Sequence, residues 1–202
     1  MDEIKIRSRG YLPHWERIDG VYFITFRLVD SLPKTIIDKY FEKKEAIERV
    51  AKAGNIENHV CEKRQEAKLL MDYIDNSLDS GHGKCHLSNP EIANLVAGAL
   101  RFFDGKRYEL FSWCIMPNHV HVVVRIFDAN KLASVLHSWK TYTAREANKT
   151  LGCEGSFWQR EYYDHLIRND DELFRTIIYV LENPIKANLK DWKWVWAIEG
   201  IS

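Results

Sequence analysis

Only four cysteines occur among the 202 residues, Cys61, Cys85, Cys114 and Cys153, and no two of them form a CxxC pair. In a chain without an export signal they read as free thiols, not as a disulfide framework. Neither sign of charge is in excess, because 29 Lys+Arg stand against 29 Asp+Glu. A bulk basic coat for nucleic acid is therefore excluded, and any such surface must come from local segregation of charge. Long apolar runs are missing too. The longest uncharged stretch, Leu110 to Val124, is broken by Pro117, Asn118 and two histidines and falls well short of the ~20 apolar residues that span a bilayer. The opening MDEIKIRSRG mixes both charge signs and has no apolar h-region, so no signal peptide is expected and the cytoplasm is the default compartment. There is no Gly-rich phosphate loop, which disfavours a nucleotide-cofactor enzyme. There is also no internal repeat and no low-complexity linker. What is present, 46% hydrophobic and 29% charged side chains, suffices for one sizeable core, and a single domain over 1–202 is the simplest organisation.

The β-branched and aromatic run Tyr22 to Leu28 predicts a first strand. Ile36, Ile37, Tyr40, Phe41, Ile47 and Val50, then Leu69, Leu70, Tyr73 and Ile74, recur at helical spacing, giving a charged helical hairpin over about 34–79. Ser88 or Asn89 caps a helix opened by Pro90, whose buried stripe is Ile92, Leu95, Val96, Ala99 and Leu100. Two β-rich runs, Arg107 to Met116 and His119 to Phe127, flank a tight turn at Pro117-Asn118. A helix follows from about Lys131 to Asn148, with Leu132, Val135, Leu136, Trp139 and Tyr142 inward. Tyr162 to Ile167 reads as another strand. Asn169, with Glu172 three residues on, caps a last helix that should stop near Asn183, because Pro184 disfavours helical geometry before it. With the hairpin taken as an insertion, the order β-α-β-β-α-β predicts an α+β, ferredoxin-like (split βαβ) antiparallel sheet followed by a C-terminal helix.

Two features carry chemistry. In PNHVHVVV, His119 and His121 share one strand face while Val120, Val122 and Val124 line the other. Two adjacent imidazoles can hold one divalent cation; the plainer alternative is a hydrogen-bonded pair on a solvated face. On the last helix, Leu173, Phe174, Ile177, Ile178 and Leu181 fall in one arc at 100° per residue, and Tyr179 points away from it with Asn183 four residues on. Its hydroxyl is then available for reaction, unless it is an ordinary amphipathic tyrosine. Weaker signals are the GHGKCH cluster of His82, Cys85 and His86, which has zinc-like residue types but no fourth ligand, and His165 on the last strand. Trp139 and Trp158 could stack on bases or fill the core, and the Arg7-Ser8-Arg9 arm with Tyr11 could reach a DNA stem.

PNHVHVVV, FWQREYYDHLIRNDDELF and the YVLENPIKANL block, together with GYLPHWERIDGVYFITFRLVDSLP and GHGKCHLSNPEIANLVAGALRFFDGKRYEL, resemble the REP-associated tyrosine transposases of the HUH single-stranded DNA nuclease-transposase superfamily. The similarity runs over most of the chain, the helical hairpin being its least diagnostic part. The resemblance implies that His119 and His121 ligate a metal, that Asn183 completes the site, and that Tyr179 is the nucleophile. It implies Mg²⁺ or Mn²⁺ as cofactor, and as partner single-stranded DNA with a hairpin, cut and rejoined through a 5′-phosphotyrosine with a free 3′-OH. Arg160, Arg168, Lys140, Arg145 and Lys186 lie in segments near the proposed site and are candidate DNA contacts. The chain could act as a monomer or a homodimer. A phenol with a pKa near ~10 needs a proton acceptor, and the sequence singles none out. The rivals are a catalytically inactive or domesticated DNA-binding protein of the same fold, and a metal hydrolase in which Tyr179 is incidental.

Overall fold

In a computed structural model of the chain, the described residues are 5–9, 12–39, 42 and 73–200. Among these residues seven strands are formed: β1 Lys5–Arg9, β2 Leu12–Glu16, β3 Val21–Arg27, β4 Tyr108–Ile115, β5 His119–Ile126, β6 Tyr163–Ile167 and β7 Val195–Ala197. Three long helices accompany them: α1 Pro90–Arg101, α2 Leu132–Leu151 and α3 Asp170–Lys186. The hairpin β1-β2 is a separate two-stranded sheet. It was not anticipated from the sequence, where Pro13 and mixed charges obscure the strand pattern.

The main sheet has the order β6-β3-β5-β4-β7, with every pairing antiparallel. Its first four positions are the split-βαβ order of a ferredoxin-like fold, and β7 adds an edge strand. The α+β expectation therefore holds. Alternation along each strand divides the side chains between two faces. Tyr22, Ile24, Phe26, Val120, Val122 and Val124 form the larger core with α1 and α2. Phe23, Cys114, Met116 and Val123 form a smaller one with Ile177 and Val180 of α3. An irregularity between Leu110 and Ser112 puts Cys114 beside His121 and Trp113 beside Val122, so that the far half of β4 presents the correct residues to each core.

Asn89, not Ser88, caps α1: its side chain accepts the Glu91 N–H at 2.9 Å. Trp139 and Trp158 are both buried; their indole N–H groups donate to Tyr108 Oη and Thr143 Oγ1 at 2.9 Å each. They are core residues and not base-stacking platforms. Tyr142, expected inward, is 45% exposed. The expected helical hairpin is described only at 34–39, 42 and 73–79, which are helical, the remainder lying outside the described residues. Among the described residues no helix is long and apolar enough to cross a membrane.

The last helix departs from expectation twice. It runs through Pro184 to Lys186, and its final turn is closed by Ala187 N–H donating to Asn183 O at 3.0 Å and Leu189 N–H to Pro184 O at 2.8 Å. Proline removes one donor, but these bonds and the burial of Pro184 hold the turn. The buried face is also centred on Ile177, Val180, Asn183 and Pro184, whereas Phe174 is 44% exposed. Relative to the arc read from apolar residues, the helix is rotated by roughly a quarter turn at 100° per residue. Tyr179 is consequently half-buried and packed against the smaller core instead of standing on an outer polar face.

Candidate active site

His119 and His121 project from β5 toward α3 and are both fully buried. Cross-strand register sets Thr25 opposite His121, and the Thr25 hydroxyl lies 2.8 Å from His121 Nδ1. Phe23 stacks on the same imidazole, ring centroids 5.4 Å apart. His119 Nδ1 lies 2.8 Å from Asn118 Oδ1. The Asn118 amide is oriented by donating to both Leu78 O and His82 O at 3.0 Å, so its oxygen faces His119, whose Nδ1 must carry the proton. The His119 Nε2 lone pair is then bare and points at His121 Nε2, 3.0 Å away. Either His121 donates across that gap, or its proton sits on Nδ1 facing Thr25 and two bare lone pairs converge, an arrangement that calls for a cation. Burial holds both imidazoles neutral, with His119 well below the ordinary histidine range and His121 lowered to about 3.

Asn183, 1% exposed, has no hydrogen-bond partner for either side-chain amide atom among the described residues. Leaving such a group unsatisfied costs about 1–3 kcal/mol per atom, so its retention one helical turn beyond Tyr179, in the lining of the same cleft, points to a ligand. Adjacent donors of an octahedral ion bound at ~2.1 Å lie ~3.0 Å apart, the separation of the two Nε2 atoms. No group of three or more His, Cys, Asp or Glu among the described residues could hold a metal by itself, so a cation here would draw on a donor of another type, and Asn183 carries an unsatisfied one. On these observations the residues fit a divalent cation.

Tyr179 closes the site. Its ring meets His121 edge-on at 5.7 Å and Phe23 at 5.8 Å, and its hydroxyl donates to Asp75 Oδ2 at 2.9 Å. A second carboxylate one turn along, Asp79, brings Oδ1 to 3.8 Å from His119 Nε2. Burial pushes Asp79 up to about 6, with Lys186 acting in the opposite sense. Asp75, Asp79, Tyr179, Asn183 and Lys186 line a cleft of about 620 Å³. Neither aspartate was singled out in the sequence; they sit in the helical segment 73–79, and only their i,i+4 spacing hinted at a shared face.

The candidate DNA contacts divide. Lys186 lies at the cleft, 3.3 Å from Glu182 and with its ammonium 4.9 Å from the Tyr179 ring centroid. Arg160 and Arg168 are exposed. Arg145, also exposed, pairs with Glu146 at 2.8 Å on α2, across the sheet from the site. Lys140 is committed within the fold, donating to Gln159 O at 2.6 Å and Arg160 O at 2.8 Å, and burial lowers it to about 8. His165 binds Glu172 at 2.8 Å. The Cys85 thiol donates to Gly81 O at 3.2 Å, and His86 stacks on Phe157, so GHGKCH is a turn. Arg7, Ser8 and Arg9 fall within β1.

Comparison with known proteins agrees with the sequence resemblance. A Haemophilus influenzae protein assigned as a REP-associated tyrosine transposase is 29% identical over 99 residues, covering 42% of this chain and 56% of that one. The match thus spans little more than half of that relative's length. Among solved structures, a REP-associated tyrosine transposase bound to a REP hairpin aligns over 94% of this chain and 80% of its own, with 16% identity and a TM-score of 0.45. A transposase-like protein of Deinococcus radiodurans aligns over 88% of this chain and 96% of its own, with 12% identity and a TM-score of 0.40. Residues 91–182 match the family described as "Transposase IS200 like", a segment that includes His119, His121 and Tyr179 and stops immediately before Asn183. Over that segment, a little under half of the chain, the protein is similar to that family.

Proposed function

We propose that the protein is a metal-dependent tyrosine transposase of the cytoplasm that cleaves and rejoins single-stranded DNA beside a hairpin. The observation that carries this reading is the edge-on contact of the half-buried Tyr179 ring with His121, whose Nε2 converges with that of His119, one helical turn before an unsatisfied buried amide at Asn183. A divalent cation, Mg²⁺ or Mn²⁺, held by His119, His121 and Asn183 would neutralise charge on the scissile phosphate. Asn118 and Thr25 orient the two imidazoles, and Asn118 sets the tautomer of His119. Tyr179 attacks phosphorus and keeps the 5′-phosphate as a tyrosyl ester, while the DNA leaves with a 3′-OH. Because the ester retains the energy of the broken bond, a second 3′-OH can reverse the step and join strands without ATP. Lys186 at the cleft and the exposed Arg160 and Arg168 would hold backbone phosphates, and unpaired bases at the foot of a stem would be read individually. Single strands suit the site because a phosphate must turn toward donors buried beneath a cleft, which a regular duplex backbone resists.

The test incubates wild-type protein with one labelled sequence presented as a hairpin with a single-stranded flank, as unstructured strand and as duplex, in Mn²⁺ or Mg²⁺. A denaturant-resistant adduct is expected with the flanked hairpin and not with the duplex. Tyr179→Phe, which removes only the hydroxyl, should abolish the adduct while leaving hairpin affinity within about twofold. Wild-type levels of adduct from that variant would sink the proposal.

A further inference from the structure

We infer that Asp75, on the helical segment 73–79, is the catalytic base that takes the proton from Tyr179 when its oxygen attacks the scissile phosphate. The inference rests on the reading of Tyr179 as nucleophile and adds the proton acceptor that reading lacks. Asp75 lies outside residues 91–182, so nothing in the family match assigns it a role.

Three observations support the assignment. The hydroxyl of Tyr179 already donates to Asp75 Oδ2 at 2.9 Å, within the 2.6–3.2 Å a general base requires. Of the other bases nearby, His119 and His121 turn Nδ1 to Asn118 and Thr25 and Nε2 to each other, His165 is bound to Glu172, and Asp79 turns Oδ1 toward His119 Nε2 at 3.8 Å, whereas the Tyr179 hydroxyl donates to Asp75. The carboxylate is also held in place, because Asn118 donates to Leu78 O and His82 O and thereby ties the end of this segment to the strand that carries the histidines. One asparagine sets both the first histidine and the segment that bears the base.

The step balances. As the Tyr179 O–P bond forms, the phenolic O–H bond breaks and its proton passes to Asp75 Oδ2, while the P–O3′ bond breaks and O3′ leaves with its electron pair, taking a proton from water. A free carboxylate is a weak acceptor for a resting phenol. As the O–P bond forms, however, the phenolic proton becomes strongly acidic, and the transfer turns downhill within the transition state. In the rejoining direction the incoming 3′-OH attacks phosphorus and gives up its proton to water, while the protonated Asp75 returns its proton to the departing phenolate. Lys186, its ammonium 4.9 Å from the Tyr179 ring centroid, offsets the negative charge that collects there.

The experiment measures single-turnover adduct formation at saturating flanked hairpin for wild type, Tyr179→Phe, Asp75→Ala and Asp75→Asn. Thermal midpoint and hairpin affinity are recorded alongside, and Asp75→Asn serves as the near-isosteric variant should the alanine fold poorly. Both Asp75 variants are expected to bind hairpin within about twofold of wild type and to form adduct on the order of 10²- to 10⁴-fold more slowly. Formate, acetate and propionate should restore the alanine variant, more strongly as the added carboxylate becomes more basic. Adduct at the wild-type rate from either variant overturns the inference. So does a loss that added carboxylates leave untouched or relieve without regard to basicity, which is the mark of a positioning role. A Tyr179→Phe protein that still forms adduct, or a wild type that forms none, instead brings down the proposed function beneath it.

Discussion

Asn118 concentrates more of the site in one side chain than any histidine does. Its oxygen fixes the His119 tautomer and its nitrogen holds Leu78 O and His82 O, so both ends of the amide are used while the residue is fully buried. Asn118→Ala should leave two carbonyls and an imidazole N–H without partners, lowering stability by about 1–3 kcal/mol for each group that water cannot reach. Loss of this outer support should also weaken Mn²⁺ binding about 10- to 100-fold. Urea denaturation and calorimetric titration with Mn²⁺ check the two effects separately; unchanged affinity would show that the tautomer needs no such fixing. The His119 and His121 pair was legible in the sequence because period-two alternation alone puts them on one face. Thr25 was not, because only the pairing of β3 with β5 sets it opposite His121.

At the scale of elements, α3 shows what a sequence reading gains and loses. Its start was legible: Asn169 Oδ1 accepts the Glu172 N–H at 2.9 Å, and Glu172 reaches back to the Arg168 N–H at 2.8 Å and across to His165. Burial pushes the Glu172 carboxyl up, but these hydrogen bonds outweigh it and hold the group below its usual range. Asn169→Ala should cost about 1 kcal/mol by removing the cap. Because the cap lies remote from Tyr179 along the helix, adduct formation in the folded protein should change little, as thermal melting paired with the cleavage assay will show. The rotation of α3 was not legible. Its apolar residues spread over a wide arc, and the part of that arc that is buried depends on the shape of the facing sheet, where Phe23, Cys114 and Val123 meet Ile177 and Val180 and leave Phe174 in solvent. The end of the helix was misjudged because a proline penalty is local, whereas burial of Asn183 and Pro184 is tertiary.

Across the whole molecule, the site joins segments far apart in the chain: 73–79, β5 and α3, with β3 beneath them. A cation bound only when these are assembled stabilises the folded state by RT ln(1 + [L]/Kd), about 2.7 kcal/mol at a hundredfold excess over Kd. For a chain of this length, Mn²⁺ at that excess should raise the melting temperature of wild type by about 5–10 °C. His121→Ala should show no comparable rise. An equal shift in both proteins would place the cation elsewhere.

The sequence by itself determined what local periodicity and local chemistry can specify. It set out the strands and helices of a split-βαβ sheet, the shared face of His119 and His121, the i,i+4 placement of Tyr179 and Asn183, and the balance of charge that rules out a bulk basic coat. Tertiary structure decided everything that depends on which faces meet. It turned α3 inward, buried Trp139 and Trp158, committed Lys140 to two carbonyls, and brought Asp75 to Tyr179 across 104 residues of chain. The physical reason is range. Periodicity reports how a segment divides its own side chains between two sides, whereas a hydrogen bond between distant segments exists only after packing has chosen the partner.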